Sequence, residues 1–427
     1  MMIRADQHVR WPVLGADDRA AVLGVLERGV LSGPFAPEVR ALEREWAAYI
    51  GSKYALATNS GTAALHVALM AAGIGPGDQV IVPAFTFVAT ALAVLHAGAV
   101  PVFVDIEPRT LGIDPKLIER AITPATKAVM PVHIHGTPCE IDAIAEICKR
   151  RGLVLIEDAA QAHGSTHRGK KLGTIGAAGC FSLQSSKSLG AGEGGLIVTD
   201  DEALFTAANR ARMFGEDVRM SDEASYRIER ALDGNRAYDS LGMGWMYRTN
   251  EMTAAVARVQ LRKLDAMNAQ AQRNAALLSK RLGELPGVTP PHIADGDTTC
   301  VHKYRIRLDG RAKGVEAAPA KVRDVVRAAL VAQGVEAVLW QSQPVPGQKL
   351  FRAKAGFAGK GFPWDAAPAV DYDVSQFPET TRLLDSSLVL FSHTCPIAPQ
   401  STALVEAYAD AFEHVWGRLG ELVAAAP

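Results

Sequence analysis

A chain of 427 residues has room for one large domain and a smaller one. Hydrophobic residues make up 48% and charged residues 21%, an ordinary globular balance, and a net charge of −1 excludes a general nucleic-acid footprint while leaving room for an anionic small ligand held by local dipoles. The five cysteines (Cys139, Cys148, Cys180, Cys300, Cys395) are scattered and show no CxxC spacing, so neither a disulfide framework nor a zinc site is expected, and a reduced cytoplasmic setting fits best. The opening MMIRADQHVRWPV lacks the apolar region of a signal peptide, and no run of about twenty apolar residues suggests a membrane span.

Residues 1–50 read as an arm. Helices are expected over 17–28 and 37–50, with a turn at 31–34 between them; Val39, Leu42, Trp46, Ala47 and Ile50 keep helical spacing in the second. A strand over 55–58 breaks at Asn59-Ser60-Gly61-Thr62, and a helix over 63–72 follows. A small-residue turn opening a helix presents free N–H groups and the positive end of the helix dipole, which suits a phosphate; a plain cap by Ser60 or Thr62 explains the same residues. After a strand over 80–83, Phe87 falls at a strand-to-helix junction, where it either stacks on a planar ring or fills the core. Strands over 100–104, 128–133 and 153–157 follow, with a helix over 141–151. The last strand ends in Asp158, a carboxylate able to hold a protonated ring nitrogen or to cap a helix. Gln161 is placed to donate to a phenolic oxygen. Strand and helix alternate through residue 200, which argues a mostly parallel sheet covered by helices on both faces.

The stretch GCFSLQSSKSLGAGEGGLIVT, from Gly179 to Thr199, holds one lysine, Lys187, between two strand-like runs. A partly desolvated lysine has a lowered pKa, and its neutral amine attacks carbonyls to form a Schiff base. Taken alone, a solvated loop lysine explains it as well.

Further on, a helix is expected over 203–214, a polar surface loop or arm over 215–239, and a long helix from 250 past 273 that connects two domains. The boundary falls at 288–291, giving an arm over 1–50, a large domain over 51–287 and a small α+β domain over 288–427. Within the latter, strands are expected over 304–308 and 388–391 and helices over 319–333 and 402–422. The intervening 338–380 is rich in proline and aromatic residues and is expected to fold over the site or onto a partner subunit.

Gly61 and Thr62, Phe87, Asp158 and Lys187 together describe one ligand, a planar phosphorylated pyridine aldehyde: pyridoxal phosphate (PLP). The runs ATNSGTAALHVAL, GDQVIVPAFTFVATA, LVLIEDAAQAHGS and CFSLQSSKSLGAGEGGLIVTDD resemble those of the DegT/DnrJ/StrS family of PLP-dependent sugar aminotransferases. The resemblance implies the α/β type I (aspartate aminotransferase-like) fold and a homodimer with shared sites. It implies Lys187 as the Schiff-base and proton-shuttling residue, Asp158 on the pyridine nitrogen, Gln161 near the phenolic oxygen, Phe87 on the ring, and Gly61, Thr62 and Ser182 on the phosphate. Glu193, in an EGG turn, would be structural. It further implies amino transfer from glutamate or glutamine to a nucleotide-linked keto-sugar or a free ketocyclitol. A PLP lyase and a non-catalytic sensor are the rival readings. One departure stands out: the family's GYNYR-like segment reads GWMYR here, with Met246 in place of an asparagine that reaches the partner subunit's phosphate, and Arg248 or Asn250 as candidate substitutes.

Overall fold

The computed structural model describes residues 2–33, 36–216 and 240–426. Pro34 of the expected turn and residues 217–239 of the expected loop or arm lie outside the described residues.

Two helices open the chain, α1 (Ala16–Arg28) and α2 (Pro37–Ile50). Seven strands then build the large sheet: β1 (Tyr54–Thr58), β2 (Gln79–Pro83), β3 (Val100–Val104), β4 (Thr126–Val129), β5 (Val154–Asp158), β8 (Ala178–Ser182) and β9 (Gly195–Thr199), in the order β1-β9-β8-β5-β4-β2-β3. A two-stranded hairpin of β6 (Thr166–His167) and β7 (Lys170–Lys171) interrupts the series. Only β9 runs against its neighbours; β2, β3, β4, β5 and β8 pair in parallel. The C-terminal ends of six strands and the start of β9 therefore lie along one rim. The loops leaving those ends carry Gly61, Phe87, Asp158 and Lys187, because helices such as α3 (Gly61–Ala71) and α4 (Ala89–His96) return the chain to the opposite edge.

The expected strand over 128–133 begins earlier and stops at Val129. Pro131 brings no N–H to a ladder, and the chain stays beside β5 only through a bridge between Val132 and Asp158. The helix over 203–214 ends at Ala211, before Phe214 takes a φ of 62°.

A four-stranded antiparallel sheet of β10 (Val288–Thr289), β11 (Tyr304–Leu308), β12 (Ala337–Val338) and β13 (Ser387–Leu390), in the order β10-β11-β13-β12, lies beyond the long helix Glu251–Gly283. That helix, about 50 Å long, buries Ala254, Ala257, Leu261 and Leu264 with α2 and the large sheet. Ala271, Ala275, Leu278 and Leu282 join the core of the small sheet. It is the spine expected from the sequence. The last helix is broken at Arg418 into Thr402–Gly417 and Leu419–Ala425.

Part of the 338–380 segment reaches the rim: Trp340 packs against Phe85 and His135, and Gln341 donates to Thr86 O. Phe351, Tyr372 and Phe377 pack on Phe103 of β3, and Tyr372 donates its hydroxyl to Pro101 O at 2.8 Å. The segment covers an edge strand whose unpaired backbone would otherwise face water.

At the start of the long helix, Asn250 accepts from Thr253 N–H at 2.9 Å as its cap. The fully buried Glu251 accepts from Glu38 N–H at 3.0 Å and Val39 N–H at 2.9 Å. It thereby caps α2, whose own N-cap residue, Ala36, has no side chain to offer. Glu251→Ala should cost about 1–3 kcal/mol and lower the thermal midpoint by about 2 °C or more; an unchanged midpoint would remove Glu251 from this role.

Candidate active site

Strand β5 turns its last two carboxylates to different tasks, since successive side chains point to opposite faces. Glu157 accepts from His133 Nε2 (2.9 Å) and from the N–H groups of Gly173 (2.8 Å), Ile175 (2.6 Å) and Gly176 (2.7 Å). This buried net ties β5 to the loop before β8. Asp158, 5% exposed, faces the rim. The Thr90 hydroxyl donates to its Oδ2 at 2.8 Å and Ala160 N–H to its Oδ1 at 3.1 Å. The bond from Ala160 is the local turn the sequence allowed as an alternative, but it leaves both oxygens with acceptor capacity. Burial pushes the Asp158 carboxyl above the ordinary carboxylate range, while Thr90, Ala160 and Lys187 pull it down. A cation at those oxygens would complete the set.

Lys187 lies on the turn that follows β8. Its N–H bonds Gln184 O at 2.8 Å, Ser185 N–H bonds Gly192 O at 2.8 Å, and Gly192 takes a φ of 94°, which explains a glycine there. The lysine is half-buried by surface area, and the protein packed around its stem still lowers its pKa; Asp158 and Cys300 oppose that shift. A readily deprotonated amine thus stands within the field of a buried carboxylate.

Gln161 is oriented by its own bond. His135 N–H donates to its Oε1 at 2.9 Å, so its amide N–H₂ group points to the other side and remains a donor for a ligand. Gly61 and Ser182 are in contact: a Cβ on Gly61 would stand 2.7 Å from Ser182 Cβ. Ser60 caps α3, accepting from Ala63 N–H at 3.0 Å, while Gly61 and Thr62 precede the helical ladder and keep their N–H groups for an anion. Cap and anion seat are therefore compatible. Phe87 is 56% exposed at the rim, and the core position belongs to Phe85. Glu193 is exposed on its turn. The structure brings Gly61, Thr62, Ser182, Asp158, Gln161 and Lys187 to one edge of the sheet, and the donor and acceptor chemistry they present matches a phosphate, a pyridine nitrogen, a phenolic oxygen and an aldehyde.

Several residues at the site escaped the sequence reading. Trp11 donates from Nε1 to Ser185 O at 2.8 Å and, with Cys300 and His302, lines the cavity around Lys187. Thr90 holds Asp158. A buried basic group, Lys303 and Arg305, approaches from the small sheet. Their signal was the alternation of cations in KYRIR, one face of a strand.

The family model described as the DegT/DnrJ/EryC1/StrS aminotransferase family matches residues 12–369. The chain belongs to this family. It is 40% identical over 300 residues to the GDP-perosamine synthase of Caulobacter vibrioides, covering 70% of this chain and 76% of that protein. It is 41% identical over 298 residues to the L-glutamine:2-deoxy-scyllo-inosose aminotransferase of Streptoalloteichus tenebrarius, covering 68% of each. The crystal structure of S. venezuelae DesV in complex with a ketimine intermediate superposes with a TM-score of 0.78 at 32% identity, over 96% of this chain and 99% of that one. These likenesses establish an aminotransferase with the α/β fold of the family.

Where the family resemblance anticipates an asparagine, Met246 is half exposed and bridges Met213 through its backbone. Asn250 accepts through Oδ1 as a helix cap, which leaves its amide N–H₂ group as a donor. The Arg248 guanidinium lies 5.9 Å from the Phe214 ring centroid.

Gly61→Ala forces a methyl group against Ser182. Uptake of PLP by the purified protein should weaken about tenfold or more, with the fold retained by circular dichroism; uptake equal to wild type would remove this contact from the phosphate seat.

Proposed function

We propose that this aminotransferase is PLP-dependent and moves an amino group from glutamate or glutamine to the ketone of a nucleotide-linked sugar. The observation that carries the reading is the meeting of Lys187 with Asp158 at one rim, beside the Gly61–Ser182 cradle and the oriented Gln161. Gly61 and Thr62 N–H groups with the Ser182 hydroxyl would hold the phosphate, Asp158 the protonated ring nitrogen, Gln161 the phenolic oxygen, and Phe87 one face of the ring. PLP, when bound, supplies an aldehyde for amino groups to condense with and a ring that takes up electron density.

The chain's own contribution is proton handling. The Lys187 amine, with a lowered pKa, is free to take a proton from the donor's α-carbon and return one to the adjacent centre. Asp158, whose ionisation Thr90 and Ala160 support, keeps a positive ring nitrogen in place. Trp11 and His302 narrow the cavity around Lys187 and limit water there.

A free ketocyclitol is the second reading for the acceptor, favoured by the 41% identity to an inosose aminotransferase. We also place the division between large and small domains at 287/288, where the long helix has ended and β10 (Val288–Thr289) begins. A homodimer with shared sites and a cytoplasmic location complete the proposal; among the described residues no helix is long and apolar enough to cross a membrane.

Lys187→Ala should lower turnover by at least about 100-fold, measured as aminated product formed from glutamate or glutamine and a panel of keto-sugars and ketocyclitols. Retained steady-state turnover, or release of ammonia without an aminated product in the wild type, would overturn the assignment.

A further inference from the structure

Strand β11 (Tyr304–Leu308) presents two unlike faces. Tyr304, Ile306 and Leu308 enter the core of the small sheet. On the other face stand Arg305 and Arg307, and Lys303 continues the same alternation one residue before the strand. Lys303 is 7% exposed and Arg305 4%. Among the described residues no carboxylate pairs with either. Arg305 donates to His135 Nε2 (3.0 Å), Ser387 Oγ (2.7 Å) and Trp340 O (2.7 Å), all uncharged acceptors, and lies 5.0 Å from the Phe85 ring centroid. Lys303 makes no hydrogen bond or ion pair to a described residue.

This group lies beside residues of the candidate site: Arg305 meets His135, whose backbone N–H orients Gln161. His302, next in the chain to Lys303, lines the same cavity as Lys187 and Trp11. Burial, followed by the charge of Lys187, depresses the Lys303 amine to about 8. Asp158 is the one carboxylate that acts on Lys187, and the proposed function already commits it to a ring nitrogen. Buried cations around Lys187 therefore outnumber the carboxylates that act on them, an arrangement that is costly unless a ligand brings the missing negative charge.

Resting on the PLP-dependent reading of the site, we propose that Lys303, backed by Arg305, is the seat of the amino donor's α-carboxylate. Both candidate donors carry that carboxylate one bond from the carbon bearing the reacting amine, so an amine brought to the position of the Lys187 amine places its carboxylate beside that amine. The ketone of a neutral sugar or cyclitol has no carboxylate at that distance. A seat for the α-carboxylate is also indifferent to whether the donor's far end is an acid or an amide.

The test uses the PLP-loaded protein, following loss of the cofactor's visible band in single turnovers over a range of L-glutamate and of its α-amide, isoglutamine. In the wild type the α-amide should bind about tenfold or more weaker than glutamate. In Lys303→Met, glutamate binding should weaken by a similar factor and the discrimination between the two ligands should vanish, while Lys303→Arg recovers most of it. The band before donor addition reports that each variant has folded and taken up cofactor. Equal binding of glutamate and α-amide by the wild type would overturn the seat without any variant. So would glutamate binding within about twofold of wild type in a Lys303→Met protein that shows the band, or a defect confined to return of the colour by the keto acceptor. A wild-type protein that takes up no PLP would instead overturn the reading on which the seat rests.

Discussion

A buried carboxylate and a half-buried amine that share one rim of the large sheet set the terms for everything around them. Asp158 is 5% exposed, and the protein answers its oxygens with only a hydroxyl and a backbone N–H. An ionised group so placed costs several kcal/mol unless a cation completes its shell. Lys187 supplies part of that field, and its own burial holds its amine more readily neutral than a free lysine. On the proposed reading, one ligand offers a positive nitrogen to the first and a carbonyl to the second. The surrounding structure keeps the pair in place: Thr90 reaches across from α4, Glu157 anchors the strand from its opposite face, and the Gly192 turn fixes the lysine.

Topology explains how residues so far apart in sequence come to one edge. Six strands end at the same rim, so the loops after β1, β2, β5 and β8 converge there without any of them being long. The two antiparallel contacts of β9 place Gly195 opposite both Ser182 and Thr58, which draws the start of α3 against the end of β8. A side chain at Gly195 would meet Ser60 O at 2.3 Å, so that closeness depends on glycine. The small sheet then closes the cavity from the far side. The long helix holds the two sheets in fixed relation by burying one half of its length in each core.

Much of this was legible because it is local. Gly61-Thr62, Asp158 and Lys187 each announce themselves within a strand-turn motif, and the parallel alternation follows from element order alone. What the sequence concealed is non-local. Trp11 meets Ser185 across 174 positions, and Arg305 meets His135 across 170. Thr90 stood in plain view in the run after Phe87, but its partner Asp158 is 68 residues on. The strand over 128–133 was drawn too long because apolar residues continue past Val129, whereas Pro131 ends the regular pairing. The aromatic content of 338–380 suggested a cover for the site or for a partner subunit; Trp340 does meet the rim, while Phe351, Tyr372 and Phe377 shield β3, a role that depends on which strand lies at the edge.

The claim on which the account turns is that Lys187, and no other lysine, is the group that condenses with PLP. Borohydride reduction of the PLP-loaded protein, followed by peptide mass mapping, reads that bond directly, because reduction makes the link permanent. The account predicts a pyridoxyl group on Lys187 and its absence from Lys303, the other buried amine in the cavity's field. A label on Lys303 or elsewhere, with Lys187 unmodified, would contradict it.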